Sequence, residues 1–182
     1  KDTNKKGLED LLEGKNYELT KLRPNLFFLH LQDYKVKGNL DEKFKKQISI
    51  LKKEFKHIII DGSPVMNLDN VFVDVAEHII VPTFLDSVTT NSILNLLKKT
   101  DISKIRAVIP NRVGRTAIEK NFYTFLKDKL TRSGIFLSVP IAQSSIILKL
   151  IEKGTLLWER KSKKLDDIKN IFIKVWGEIE DE

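Results

Sequence analysis

Five short apolar runs in this sequence each stop abruptly on a polar or ring-constrained residue, and that pattern limits the possible fold most. Leu26–Leu29 stops at His30, and Ile58–Ile60 stops at Asp61. Ile79–Val81 stops at Pro82, Ile105–Ile109 at Pro110, and Ile135–Val139 at Pro140. Strands that are apolar without alternation are buried on both faces, as in parallel sheets. Between them the apolar residues recur at helical spacing, as in Phe44, Ile48, Leu51 and Phe55, or Ile118, Phe122, Phe125, Leu126 and Leu130. Helices are also expected from Val71 to Ala76, from Val88 to Lys99, from Ile146 to Lys153 with Gly154 as C-cap, and along Leu165, Ile168, Phe172, Val175 and Ile179. Alternation of strand and helix predicts an α/β fold. It has three layers, with helices on both faces of a mostly parallel twisted sheet. With 182 residues and no linker or repeat, the chain reads as one domain, 1–182.

Composition removes several function classes. There is no cysteine, so disulfides, thiolate metal sites and cysteine nucleophiles are excluded. No apolar run approaches the ~20 residues that span a bilayer, and a cytoplasmic location is the expectation. The formal net charge of +7 favours a polyanionic partner. His30, His57 and His78 share no metal-ligand spacing. Phe122, Tyr123, Trp158 and Trp176 are expected in the core.

Ligands of open parallel sheets bind outside the carboxyl ends of the strands. The residues expected at that edge are His30, Asp61 to Pro64, Pro82-Thr83, Pro110-Asn111-Arg112 and Pro140-Ile141-Ala142. Three isoleucines running into Asp61 form a Walker B pattern, whose carboxylate holds Mg²⁺ beside a nucleotide's phosphates. The same Asp could equally cap the following turn. Asn111 carries an amide able to meet the donor and acceptor edge of adenine, or simply to close a turn after Pro110.

The ordered set of these segments resembles ParA-type ATPases, the deviant-Walker enzymes of plasmid and chromosome partition. Lys56 to Pro64 is similar to the family's D-Y-I-I-I-D-x-P-P segment, and His78 to Thr83 to its next strand. Val108-Ile109-Pro110-Asn111-Arg112 is similar to its V-L-x-N-R/M strand end. Ser138 to Ile141 resembles x-V-I-P, and Lys153 to Trp158 the segment that follows. Ser63 and Thr155 stand where the family has prolines. The resemblance implies a P-loop NTPase-like fold that binds ATP and Mg²⁺. Asp61 would serve the metal and the reaction. Asn111, Arg112, Pro140 and Ile141 would lie at the base. It also implies an ATP-dependent homodimer that coats non-specific DNA near the nucleoid and answers to a centromere-binding ParB-type partner, with no membrane contact. Arg115, Lys149, Lys153, Arg160, Lys161, Lys163 and Lys164 are the basic residues expected to meet DNA; each could also be an ordinary solvated side chain.

The family's K-G-G-x-x-K-S/T phosphate loop has no counterpart among these residues. Lys1 to Gly7 resembles the end of the family's second strand, which makes Asp2 the aspartate that positions the attacking water, or else part of a frayed terminus. Leu8 to Gly14 resembles the helix that follows it. This places about 35–45 residues, close to one βαβ unit, upstream. Without that unit Ile58–Ile60 should lack ladder partners. Two other readings remain. One is a deviant-Walker ATPase that positions cargo on a membrane, disfavoured by the acidic end Glu178 to Glu182. The other is a ParA-like module that binds partners and not ATP.

Overall fold

The computed structural model describes residues 6–30, 39–62 and 69–180. The chain divides into two compact units, Lys1–Val75 and Ala76–Glu182.

The first unit contains helix α1 (Leu8–Leu12), a hairpin of β1 (Leu19–Arg23) and β2 (Leu26–Leu29), and helices α2 (Leu40–Leu51) and α3 (Asp69–Val75). β1 and β2 pair antiparallel, with Leu19 opposite Leu29. Leu26–Leu29 therefore belongs to a hairpin, not to the parallel sheet that its apolar run suggested. Pro24-Asn25 supplies the turn. His30 accordingly ends a hairpin arm; its carbonyl accepts from the Leu8 amide at 2.8 Å, and its Nε2 lies 3.1 Å from the Thr20 hydroxyl.

On α2, Phe44, Ile48 and Leu51 recur at spacings of four and three, so one face is buried. Phe44 and Ile48 meet Leu12 and Val71 in a small core, and Ile58 and Ile60 pack against its side. The segment from Ile58 to Ile60 carries no ladder among the described residues. Ile59 points away from the core and is 82% exposed. Alternation of inward and outward side chains is the strand signature, but no strand partners it here.

The second unit is the α/β layer that the sequence predicts. Its order is β3 (Ile79–Thr83), α4 (Ser87–Lys99), β4 (Ile105–Pro110), α5 (Ala117–Leu130), β5 (Phe136–Leu137), α6 (Ser145–Glu152) and α7 (Lys163–Glu180). The three strands form a parallel sheet in the order β3-β4-β5. Consecutive right-handed crossovers that advance in one direction put their helices on one face. That face holds Ile93 of α4 and Leu126 and Leu130 of α5 around Val108. The other holds Leu150 of α6 and Leu165, Ile168, Ile171 and Val175 of α7 around Ala107 and Ile109.

Helix ends follow local chemistry. Asp86 caps α4 by accepting from the Thr89 amide at 2.8 Å. Its carboxyl is held below the usual range, chiefly by that bond and the one from the Thr89 hydroxyl. Thr116 and Glu119 form a reciprocal capping box on α5. Gly154 takes φ 58° just after α6, a left-handed value that favours glycine.

The two faces of β4 give a stability test. Leu126→Ala and Leu165→Ala each remove a fully buried side chain, one from each side of the sheet. Each should cost about 2–5 kcal/mol. Urea unfolding followed by tryptophan emission checks this, because Trp158 and Trp176 both lie in the second unit. A loss under about 1 kcal/mol at either position, outside the usual cost of such truncations, contradicts the two-sided core.

Candidate functional site at the carboxyl edge of the parallel sheet

Pro110 shapes the edge. Continuing the parallel ladder would require residue 110 to donate to the carbonyl of Ser138, and proline has no N–H. The Tyr123 hydroxyl takes that carbonyl instead, at 3.3 Å, and the buried Ser138 hydroxyl donates to the Val139 carbonyl at 3.0 Å. Across the break each strand takes up one extra residue, so that pairing returns to its original register. Ile141 donates to the Pro110 carbonyl at 2.8 Å, Val113 to the Ile141 carbonyl at 3.0 Å, and Gln143 to the Val113 carbonyl at 3.2 Å. Val113 and Ala142 form a parallel bridge.

Arg112 absorbs the mismatch in the left-handed region, at φ 55°. For a residue with a side chain this costs on the order of 1–2 kcal/mol. The Asn111 Oδ1 accepts from the Arg112 amide at 2.9 Å and helps to hold it there. The backbone amide of Asn111 donates to the Thr83 carbonyl at 2.8 Å, which ties β4 to β3.

A cleft of about 390 Å³ opens beside this edge, lined by Leu85, Val113, Gly114, Tyr123, Pro140 and Ala142, with Glu119, Lys120 and Thr124 from α5. Its volume lies in the range of small-molecule pockets. The Tyr123 hydroxyl donates to the Ser138 carbonyl at 3.3 Å, and burial pushes that phenol above its ordinary value. Glu119 closes one wall. Its carboxylate accepts from the Thr116 hydroxyl at 2.6 Å, the Gly114 amide at 2.6 Å and the Thr116 amide at 3.0 Å. The Thr116 hydroxyl, then those two amides, hold the Glu119 carboxyl below its usual range. A Cβ at Gly114 would lie 2.9 Å from that carboxylate, so a larger residue there would make the Glu119 side chain shift.

The expected site residues divide as follows. Asn111, Arg112, Pro140 and Ile141 come together at the carboxyl edge, joined by the Ile141–Pro110 bond. Only Pro140 lines the cleft. Ile141 is buried in the α6/α7 core, and its amide and carbonyl both serve the ladder. Asp61 lies in the first unit on an exposed segment, and Asp2, Ser63 and Pro64 fall outside the described residues. Among the described residues no three His, Asp or Glu side chains converge into a metal-holding group. Asp61 on its own offers a single carboxylate.

Arg115 lies in the β4–α5 loop, Lys149 on α6, Lys153 at its end, and Arg160, Lys161, Lys163 and Lys164 at or just before the start of α7. All seven are exposed. Trp158 corrects the expectation of a core aromatic, since it is 58% exposed, and Trp176 is also exposed.

Sequence patterns alone did not place Glu119, Tyr123 and Thr124 at a site, and Lys120 stood out only as one of the basic residues expected to share a surface. The T-x-x-E spacing of Thr116 and Glu119 is a helix-start signal that could have found the first of them. Tyr123 offers no such mark. No protein-family model, no curated protein and no solved structure matches the chain. None of the described helices is long and apolar enough to cross a membrane.

Because folding lowers the Glu119 pKa, its bonds stabilise the loop above the unfolded-state value near 4.5 and are lost as pH falls through the folded value. Hydrogen exchange at the Gly114 and Thr116 amides should therefore lose protection in acid below that range. Glu119→Gln should lose it already at neutral pH. Protection in the variant equal to the parent's at neutral pH contradicts the assignment.

Proposed function

We propose that this chain is a ParA-type partition ATPase module, with a P-loop NTPase-like second unit whose β4–β5 edge receives the adenine of ATP. The observation that supports this most is the cleft beside Pro140 at the carboxyl edge of a parallel sheet. That is where open α/β sheets take their ligands. Leu85, Tyr123 and Pro140 offer apolar surface to a flat heterocycle. Asn111 stands one residue beyond Pro110 on the same edge, with an amide group able to read the base. The resemblance also gives Asp61, in the first unit, the role of a Mg²⁺ ligand through one carboxylate.

In this reading the exposed basic residues around α6 and the start of α7 hold DNA phosphates, which need charge and no base readout. Between residues 149 and 164 there are six basic residues and two acids. None of the six makes a side-chain hydrogen bond or ion pair among the described residues. A ParB-type partner and an ATP-dependent dimer complete the cycle. The second reading, a ParA-like module that binds partners without ATP, differs in one observable, nucleotide binding.

The base-side contacts named here do not include a phosphate cradle. Adenosine and ATP should therefore bind the 182-residue chain with affinities within about tenfold of each other, the scale of a single hydrogen-bond contribution or less. Asn111→Ala should weaken both two- to about tenfold, and Ala142→Trp, which fills the cleft, should abolish both. Calorimetry with each ligand decides. Absence of binding selects the non-nucleotide reading, and ATP binding that survives Ala142→Trp contradicts the assigned site. For DNA, duplex affinity should fall steeply with added salt. A flat response sinks the phosphate contacts.

A further inference from the structure

The segment between α6 and α7 presents an exposed aromatic beside basic side chains. Leu157–Glu159 forms one 3-10 turn, and the Trp158 ring packs on Phe172 of α7 with centroids 6.2 Å apart. Two residues on, the Arg160 carbonyl accepts from Lys169 Nζ at 2.8 Å. Lys169 and Phe172 are three apart, so they share one flank of α7. The chain from Trp158 to Arg160 therefore runs along that flank, where Lys169 also pairs with Asp166 at 3.1 Å, and the exposed indole stands two residues before Arg160 and the lysines that follow.

Folding gives no reason for this composition. More than half of the Trp158 surface is open to water. Arg160, Lys161, Lys163 and Lys164 cluster at the start of α7, where the helix dipole is positive and further positive charge is unfavourable. Basic groups flanking an accessible aromatic are complementary to a strand that offers both phosphates and unstacked bases. Charge without stacking serves a duplex, whose bases are paired and closed; an exposed indole beside the charge serves unpaired bases.

We propose that Trp158, with Arg160 and the lysines that follow, forms a contact surface for single-stranded nucleic acid, on which a base stacks against the indole while the cations track the backbone. This rests on the DNA reading above and narrows it to a strand form.

The test uses the full chain, a mixed-sequence oligonucleotide as a single strand and the same sequence as a duplex. Trp176→Phe leaves Trp158 as the only tryptophan. Single strand should quench its emission, and duplex should quench it less. By anisotropy, Trp158→Ala should lose roughly tenfold affinity for the single strand and change duplex affinity less than about twofold, while Trp158→Phe should recover most of the loss. Equal losses for both forms, or no loss and no quenching, overturn the proposal. If duplex affinity then still falls steeply with salt, the DNA reading stands without it. If neither form binds, both fall. A blue shift of Trp158 with phosphatidylserine vesicles and no response to either nucleic acid assigns the surface to lipid and overturns the proposal.

Discussion

The burial of β4 on both faces is the constraint on which the second unit depends. Ala107 and Val108 are fully buried, and they face opposite ways into two separate apolar clusters. A strand in that position must satisfy all its backbone groups within the sheet, because water cannot reach them. Neighbours on both sides are therefore obligatory, and β3 and β5 provide them in parallel. The same requirement explains the beginning of β4. The register with β3 slips between Ile79 and Ile80, which makes Arg106 an extra residue and turns Ile105 to the side of Val108. The Arg106 guanidinium leaves the ladder and donates through Nε to His78 Nδ1 at 3.1 Å.

At the other end, Pro110 turns the same constraint into a site. The missing N–H ends regular pairing, the Tyr123 hydroxyl takes the Ser138 carbonyl that the lost donor would have met, and Arg112 adopts a left-handed conformation. Strained backbone concentrates where function needs a fixed geometry. Here the strain sits between Asn111 and the glycine loop that Glu119 closes. The carboxylate of Glu119 also fixes where α5 begins, and so where Lys120, Tyr123 and Thr124 face.

Much of this was legible in the residues. Ile79–Val81, Ile105–Ile109 and Ile135–Val139 announced parallel strands because apolar residues fall on both of their faces, with Arg106 and Ser138 the only polar interruptions. The helices after them announced themselves through spacing. What was not legible has physical causes. Leu26–Leu29 has the same greasy composition as the core strands, and only the partner Leu19–Arg23, with its alternating lysine and arginine, shows it to be a hairpin arm. Ile58–Ile60 carries the strongest β composition of all, yet composition cannot supply a neighbour. Trp158 looked like a core residue because size and apolarity are local properties and exposure is not. The cleft itself is lined by α5 side chains that meet Leu85, Val113, Pro140 and Ala142 only in the folded sheet, which no spacing encodes. At the carboxyl edge, Ile141 is spent on the ladder and the core, which its place after Pro140 in the sequence does not disclose.

The central claim is that the β4–β5 edge is a base site. Amide chemical-shift mapping of the labelled chain with adenosine tests it most directly, because it reports location and not merely affinity. A base seated at this edge should confine the shifts to Asn111, Gly114, Lys120 to Thr124, Ile141 and Ala142. Shifts concentrated elsewhere, such as at the amino-terminal end of the sheet around Glu77 and Lys104, or no shifts at millimolar adenosine, would contradict it.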